Sequence, residues 1–261
     1  MLVTNDDGVE SPGLHALAGA IAHAGHDVVV VAPSGERSGS GAAIGRLHRS
    51  GPIAWTAVQW PGVANVGVNA LDVPPAAAVY AGCVGAFGDA PDVVASGVNP
   101  GLNYGHLVLH SGTVGAALTA RALGVSAVAV SQAWGKEQLW DTAAAIAADT
   151  VEWVAKQCGA AMVANVNVPN LPLDKVRGVR DARLAAFNEK WVASTEPGEL
   201  HLEYVEHTGD PDPESDFALV KAGYCAVTLL EGVTTVPGGA GAAAGSIAQA
   251  IDTRVLRRGV A

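Results

Sequence analysis

Two adjacent carboxylates, Asp6 and Asp7, stand in Asn5-Asp6-Asp7-Gly8 near the start of the chain. Like charges side by side in one cleft are costly unless a cation lies next to them. Oxygen donors of this kind suit a hard ion, Mg2+ or Mn2+, better than zinc. The plainer role of Asn-Asp-Asp-Gly is a turn that caps the helix starting near Pro12. Two neutral oxygen donors shift the balance toward a metal: Ser38 in Arg37-Ser38-Gly39-Ser40, and Asn99 in Ser96-Gly97-Val98-Asn99. A second group comprises Gly101-Leu102-Asn103-Tyr104-Gly105 and then Ser111-Gly112-Thr113-Val114-Gly115, which opens a helix. Backbone N–H groups at a helix start, with a glycine and two hydroxyls, make an anion pocket, although Ser111 or Thr113 can equally serve as a simple helix cap. Gly-x-x-x-x-Gly-Lys-Ser/Thr is absent, so the chain is not a P-loop protein. A divalent ion beside an anion pocket, with no Lys or Arg clamp, points to hydrolysis of a phosphate ester by a metal-held water. His106 and His110 lie near enough in sequence to give a proton, but an exposed loop histidine is more often solvated, and no general acid is identifiable.

These residues can meet only if the elements between them bring them to one place. The first half alternates β-branched runs with helical patterns, the mark of βα units on a parallel sheet. Strands are expected at Met1 to Asn5, His26 to Pro33, Ile53 to Val58, Asn65 to Val68, Asp92 to Ala95, Val125 to Ser131 and Met162 to Val168. Helices are expected at Pro12 to Ala24, Pro75 to Phe87, Thr113 to Leu123 and Trp140 to Gln157. In a parallel sheet the strands all end along one edge, where open α/β folds bind ligands. The Asp6, Ser38 and Asn99 segments and Ser131 all fall there. Beyond Pro169 the texture changes to turn signals such as Thr208-Gly209-Asp210-Pro211, which suggest projecting hairpins. A returning strand at Tyr224 to Leu230, a Gly/Ala-rich linker and a terminal helix follow. The expected division is a Rossmann-like catalytic core over residues 1–170, a hairpin extension and returning strand over 171–237, and a linker with C-terminal helix over 238–261.

Composition sets outer bounds. A chain of 261 residues, 49% of them hydrophobic, can close a core and is not disordered. No apolar run approaches the roughly 20 residues that span a bilayer. Met1-Leu2-Val3 runs into acidic residues with no basic n-region, so the expectation is a soluble, cytoplasmic protein with no membrane partner. A net charge of −10 without a Lys/Arg cluster argues against a long nucleic acid, yet allows a small anion where a metal supplies positive charge. Cys83, Cys158 and Cys225 are few, odd in number and widely spaced, and are expected as buried small hydrophobes.

The motifs, taken in order, resemble the SurE family of stationary-phase survival nucleotidases and acid phosphatases. The matching segments are Asn5-Asp6-Asp7-Gly8, Ala32-Pro33 through Arg37-Ser38-Gly39, Ser96 through Asn103, Ser111-Gly112-Thr113-Val114 and Asn165-Val166-Asn167-Val168-Pro169. A fainter echo runs from Ser215-Asp216-Phe217 to Val227-Thr228. The resemblance implies a Rossmann-like α/β core with a mostly parallel sheet, a protruding β-hairpin and a C-terminal oligomerisation segment. It implies a metal-dependent phosphomonoesterase for nucleoside monophosphates, with one divalent ion per subunit, assembled as a homodimer or homotetramer. Asp6, Asp7, Ser38 and Asn99 would ligate the ion, and Asn103, Ser111, Gly112 and Thr113 would hold the phosphate; Asp6, Asp7 and Asn103 would carry catalysis.

Departures from the family pattern fall at Ala42, Gly45, Ala77 and His106. They motivate an alternative: a specialised biosynthetic phosphatase acting on a sugar phosphate or a phosphorylated natural-product intermediate. A binding protein that has lost catalysis is opposed by the intact metal ligands, and a glycosyltransferase rests only on Ala24-Gly25-His26-Asp27-Val28, common to many such folds.

Overall fold

The computed structural model describes residues 1–45, 47, 51–61, 66–186, 190–205 and 212–234. Residues Met1–Leu230 form one compact unit, and Glu231–Ala261 a second; the Gly/Ala linker, the terminal helix and the Thr208–Pro211 turn read from sequence lie outside the described residues.

The first unit is built on β1 (Leu2–Thr4), α1 (Pro12–His23), β2 (Val29–Pro33), β3 (Trp55–Val58), β4 (Gly67–Leu71), α2 (Pro75–Cys83), β5 (Val93–Pro100), α3 (Gly112–Ala122), β6 (Ser126–Gln132), α4 (Trp140–Ala155) and β7 (Val163–Val168). After these come β8 (Val179–Asp181), β9 (Lys190–Glu196), β10 (Glu199–Val205), α5 (Asp216–Lys221) and β11 (Cys225–Leu230). Among the described residues nine strands make one sheet in the order β3-β4-β2-β1-β5-β6-β7-β11-β8. Strands β4, β2, β1, β5, β6 and β7 run parallel, while β3 and β11 pair antiparallel to β4 and β7.

Burial on both faces explains the near-continuous apolar strands. On one face Val3, Val30, Val128 and Val166 pack with Leu14, Leu17 and Ile21 of α1 and Ile146, Val151 and Val154 of α4. On the other, Leu2, Val31 and Val94 pack with Val79 of α2 and Val114, Ala117 and Ala120 of α3. Side chains alternate across a strand with a period of two, so neighbours such as Leu2 and Val3 serve opposite layers. Helix α1 begins where expected: Ser11 Oγ accepts from the Leu14 N–H, and Pro12 follows at the first helical position.

Differences from the sequence expectations have local causes. Strand β5 runs on to Pro100 because it continues to pair with β6 beyond Ala95, through a bulge between Ser96 and Asn99. Helix α2 stops at Cys83, just before Gly85 at φ +84°. A 310 helix at Gly105–Leu109, the three-residue edge strand β8 and the six-residue α5 were not anticipated; each is too short to show a period. A projecting hairpin was anticipated, and β9 and β10 pair antiparallel as a separate two-stranded sheet. Of the cysteines only Cys225 is buried; Cys83 is half-buried, and Cys158, past the end of α4, is exposed.

Candidate active site

The chain winds outward from β1 through β2 to β4, then returns to place β5 on the other side of β1. Such a switch of direction opens a crevice at the carboxyl ends of the two central strands. Asp6 and Asp7 follow β1, and Asn99 lies at the end of β5. The bulge advances β5 by three residues, Ser96 to Asn99, while β6 advances by two, Ala129 to Ser131; an unpaired residue of this kind re-aims the side chains that follow it. A cleft of about 300 Å3 opens there, lined by Asp6, Asp7, Glu36, Ser38, Gly39, Asn99, Pro100, Asn103, Leu107, His110, Ser111 and Trp134.

The loops are tied to one another before any ligand is considered. Asn5 Nδ2 donates to Gly8 O at 3.0 Å and to Ser11 Oγ at 2.8 Å, so the expected turn chemistry belongs to Asn5 and leaves both aspartates free for the cleft. The Arg37 N–H donates to Asp6 O at 2.7 Å, joining the loop of Ser38 to that of Asp6. The Arg37 guanidinium is turned to Asp72 at 2.6 Å. Thr113 Oγ1 donates to Asp6 Oδ1 at 2.6 Å and lies 3.4 Å from Asn99 Oδ1, so one hydroxyl links the ends of β1 and β5 to the start of α3. Asn99 Nδ2 donates to Gly101 O at 2.7 Å, which leaves its carbonyl oxygen as the atom to offer a ligand.

Asn103 is fixed from three directions. Its N–H donates to Asn167 Oδ1 at 3.0 Å, its carbonyl accepts from Asn165 Nδ2 at 2.8 Å and Asn167 Nδ2 at 2.9 Å, and its Nδ2 donates to Ser131 Oγ at 2.8 Å. One Nδ2 hydrogen remains for an anion. Ser111 Oγ accepts from the Val114 N–H at 3.1 Å, so it caps α3 and still carries a hydrogen of its own. Gly112 and Thr113 sit behind the cleft wall, against Asp6. A β-carbon on Gly112 would stand 2.7 Å from Asp6 Cβ and 2.8 Å from Asp6 Oδ2, so only glycine lets α3 begin so close to the carboxylate.

Burial raises the Asp6 carboxyl above its ordinary value, against the opposing pull of the Thr113 hydroxyl and the N–H groups of Thr113 and Gly112. Asp7 is pushed up to about 7, first by burial and then by the charges of Asp6 and Glu36. Asp7 Oδ2 is buried with no hydrogen-bond partner among the described residues.

All four expected metal ligands, Asp6, Asp7, Ser38 and Asn99, line the one cleft with Asn103 and Ser111. Among the described residues the cleft lining holds three carboxylates and neither Lys nor Arg, and one buried carboxylate oxygen has no partner. Residues of this kind fit a hard divalent ion. His110 lines the cleft and His106 does not; nor do Ala42, Gly45 or Ala77, and Ala77 is instead buried on the core side of α2. Asn165, Asn167 and Asp216 carry no role that sequence pattern alone assigns, and Trp134 belongs to no motif. The alternation in Asn165-Val166-Asn167-Val168, with two amides on one face of a buried strand, was the available signal for the first pair.

A Rossmann-like α/β protein with a metal-suited acidic cleft at its switch point is a class that hosts many activities. The comparisons narrow it. The family model for survival protein SurE matches residues 1–190, and the chain belongs to the SurE family. It is 35% identical over 237 residues to the 5'/3'-nucleotidase SurE of Serratia proteamaculans, covering 88% of this chain and 89% of that one. It is also 35% identical over 247 residues to the protein of the same name from Edwardsiella ictaluri, covering 92% and 93%. Among solved structures it resembles the SurE protein from Aquifex aeolicus, with a TM-score of 0.76, 29% identity, and coverage of 90% and 94%.

Proposed function

We propose that this chain is a metal-dependent phosphomonoesterase that hydrolyses nucleoside monophosphates to nucleoside and phosphate. The observation that carries the reading is the charge of the cleft: among the described residues, Asp6, Asp7 and Glu36 line it without any Lys or Arg, beside anion donors on Asn103 and Ser111. A phosphate ester enters such a site only with a cation. Asp6, Asp7, Ser38 and Asn99 hold one divalent ion, Mg2+ or Mn2+. When bound, that ion supplies Lewis-acid polarisation of the phosphoryl group and a more acidic water. Asn103 Nδ2 and the Ser111 hydroxyl hold the non-bridging oxygens, where charge grows in the transition state. Gly112 and Thr113 act through Asp6, whose carboxylate they orient. His110, the one histidine on the cleft wall among the described residues, is the side chain we assign to give the leaving oxygen its proton.

The names of the relatives support the nucleotide as substrate. The positions that motivated a specialised sugar-phosphate reading lie off the cleft wall and lend it no geometric support. The division into core, hairpin extension and C-terminal segment is retained as a proposal. So is assembly as a homodimer or homotetramer, supported by the exposed Leu200 and Leu202 on the hairpin and checked by light scattering.

The test is phosphate release from a panel of nucleoside 5'- and 3'-monophosphates and sugar phosphates, with EDTA and with Mg2+ or Mn2+ titrated back. Nucleotides turned over only with metal is the expected result. Activity unchanged by EDTA overturns the metal, and sugar phosphates preferred over every nucleotide overturn the substrate class.

A further inference from the structure

The cleft has a polar floor and an apolar lip, and the lip is dominated by one residue. Trp134 is 72% exposed yet lines the cleft. Pro100 and Leu107 are its apolar companions there, and among the described residues no Phe or Tyr joins them. A large aromatic ring in water at the mouth of a site is informative when the chain holds it still, because a rigid ring loses little entropy on binding.

The loop that carries this one is tied down along its length. Its loop leaves β6 with the Ala133 N–H on Val168 O at 2.9 Å and closes with Gln132 Nε2 on Leu139 O at 3.0 Å. Between them Asn170 grips the loop from below: its Nδ2 donates to Glu137 O at 2.7 Å, and its Oδ1 accepts from the Leu139 N–H at 2.9 Å. Gly135 makes that grip possible, since a β-carbon there would stand 1.7 Å from Asn170 Nδ2. The indole is also seated against the floor. Gly101, at φ +108°, bears no β-carbon, and one there would stand 2.7 Å from Trp134 Nε1. Gly101 lies midway in sequence between Asn99 and Asn103, so the ring is registered to the segment proposed to hold the ion and the phosphate.

We propose that Trp134 is the specificity-determining residue of the cleft, a platform on which the nucleobase of a bound nucleoside monophosphate stacks while its phosphate rests on the floor. The proposal builds on the phosphomonoesterase reading above and adds what recognises the other end of the substrate. Every base presents a π-face, so recognition by stacking accepts all of them. Trp134 touches the base and not the reacting atoms; its contribution therefore falls on KM and leaves kcat alone.

The experiment compares adenosine 5'-monophosphate with ribose 5-phosphate, which has the same sugar and phosphate and no base, on the metal-loaded wild type, Trp134→Ala and Trp134→Phe. Trp134→Ala is expected to raise KM for the nucleotide by about 5- to 150-fold, the span of base–aromatic stacking, with kcat and the ribose 5-phosphate parameters unchanged. Trp134→Phe keeps a ring and is expected to recover most of the loss. Equal effects on both substrates, or no effect on either, overturn the platform while leaving the phosphatase intact. Calorimetric titration of the same two compounds into the same variants reads stacking independently of turnover. If wild type hydrolyses neither ester, the phosphomonoesterase reading fails; a base-dependent affinity that Trp134→Ala removes still upholds the platform, and its absence overturns that too.

Discussion

Asp7 and Asp216 are both acidic side chains with buried oxygens and a carboxyl raised chiefly by burial, and the fold treats them in opposite ways. Asp216 Oδ1 accepts from the N–H groups of Ala185 at 3.0 Å and Phe217 at 2.9 Å, and its Oδ2 from that of Gly105 at 3.0 Å. One carboxylate thus ties the start of α5 to the 310 helix that carries Leu107 toward the cleft. Around Asp7 the charged neighbours are Asp6 and Glu36, and Oδ2 has no partner among the described residues. Buried polar groups in a native fold are nearly all paired, so an exception invites a functional explanation. The contrast separates a carboxylate that builds the site from one that is available to a ligand.

Replacing each one is the sharpest way to break that contrast. Asp7→Asn or Asp6→Asn is expected to reduce phosphate release to background, and chelation of the wild type is expected to do the same, both measured with a nucleoside monophosphate. Asp216→Ala acts on the fold instead. It leaves the buried N–H groups of Gly105 and Ala185 without their acceptor, at about 1–3 kcal/mol each, so the loss of unfolding free energy in urea is expected to be at least about 2 kcal/mol. Asp216→Asn is the finer probe. Its amide can keep the Oδ1 bonds to Ala185 and Phe217 but turns an NH2 toward the Gly105 N–H, so it is expected to lie between the two. Loss of stability in Asp7→Asn equal to that in Asp216→Ala would erase the distinction.

The sequence exposes one side of this contrast better than the other. Asp6 and Asp7 stand out because paired carboxylates beside Gly at a strand end are chemically conspicuous, and Ser38 and Asn99 because the parallel order sends them to the same edge. Their meeting place between β1 and β5 required the strand order, which no local pattern contains. The bulge that aims Asn99 was invisible because Ser96-Gly97-Val98-Asn99 looks like a loop once the apolar run has ended. Asp216, Asn165 and Asn167 show in the sequence as family motifs without a role, since their partners, Gly105, Ala185 and Asn103, lie 31 to 111 positions away. Trp134 looks like any residue of a charged loop until the walls of the cleft are seen.

Thr113 tests the contrast from the side of the ligand site. Its hydroxyl is to Asp6 what the three N–H groups are to Asp216, a donor that orients one oxygen, but there is only the one side chain. Thr113→Val keeps the volume and removes the donor. Outer partners of this kind are typically worth about 10–100-fold in metal affinity. Titration of Mn2+ into the variant is expected to show a weakening in that range, with activity recovering as the ion is raised. No recovery at high Mn2+ would mean that Thr113 serves the reaction directly.

The smallest expected effect concerns pH and the metal-free chain. A carboxyl whose folded value is raised binds its proton more tightly in the folded state. Stability from Asp7 is therefore fully present below its unfolded value of 3.8 and is lost as pH rises toward about 7. Asp7→Asn carries no charge at any pH and is close in shape to the protonated acid. In EDTA the variant is expected to melt a few degrees above wild type at pH 8, with the gap closing as pH falls to 4. Added Mn2+ is expected to reverse the order at pH 8, because only the wild type keeps both carboxylates for the ion. Asp216→Asn cannot show this inversion, since its partners are backbone N–H groups that no ion replaces; an inversion there as well would mean that the two buried carboxylates do not differ in kind.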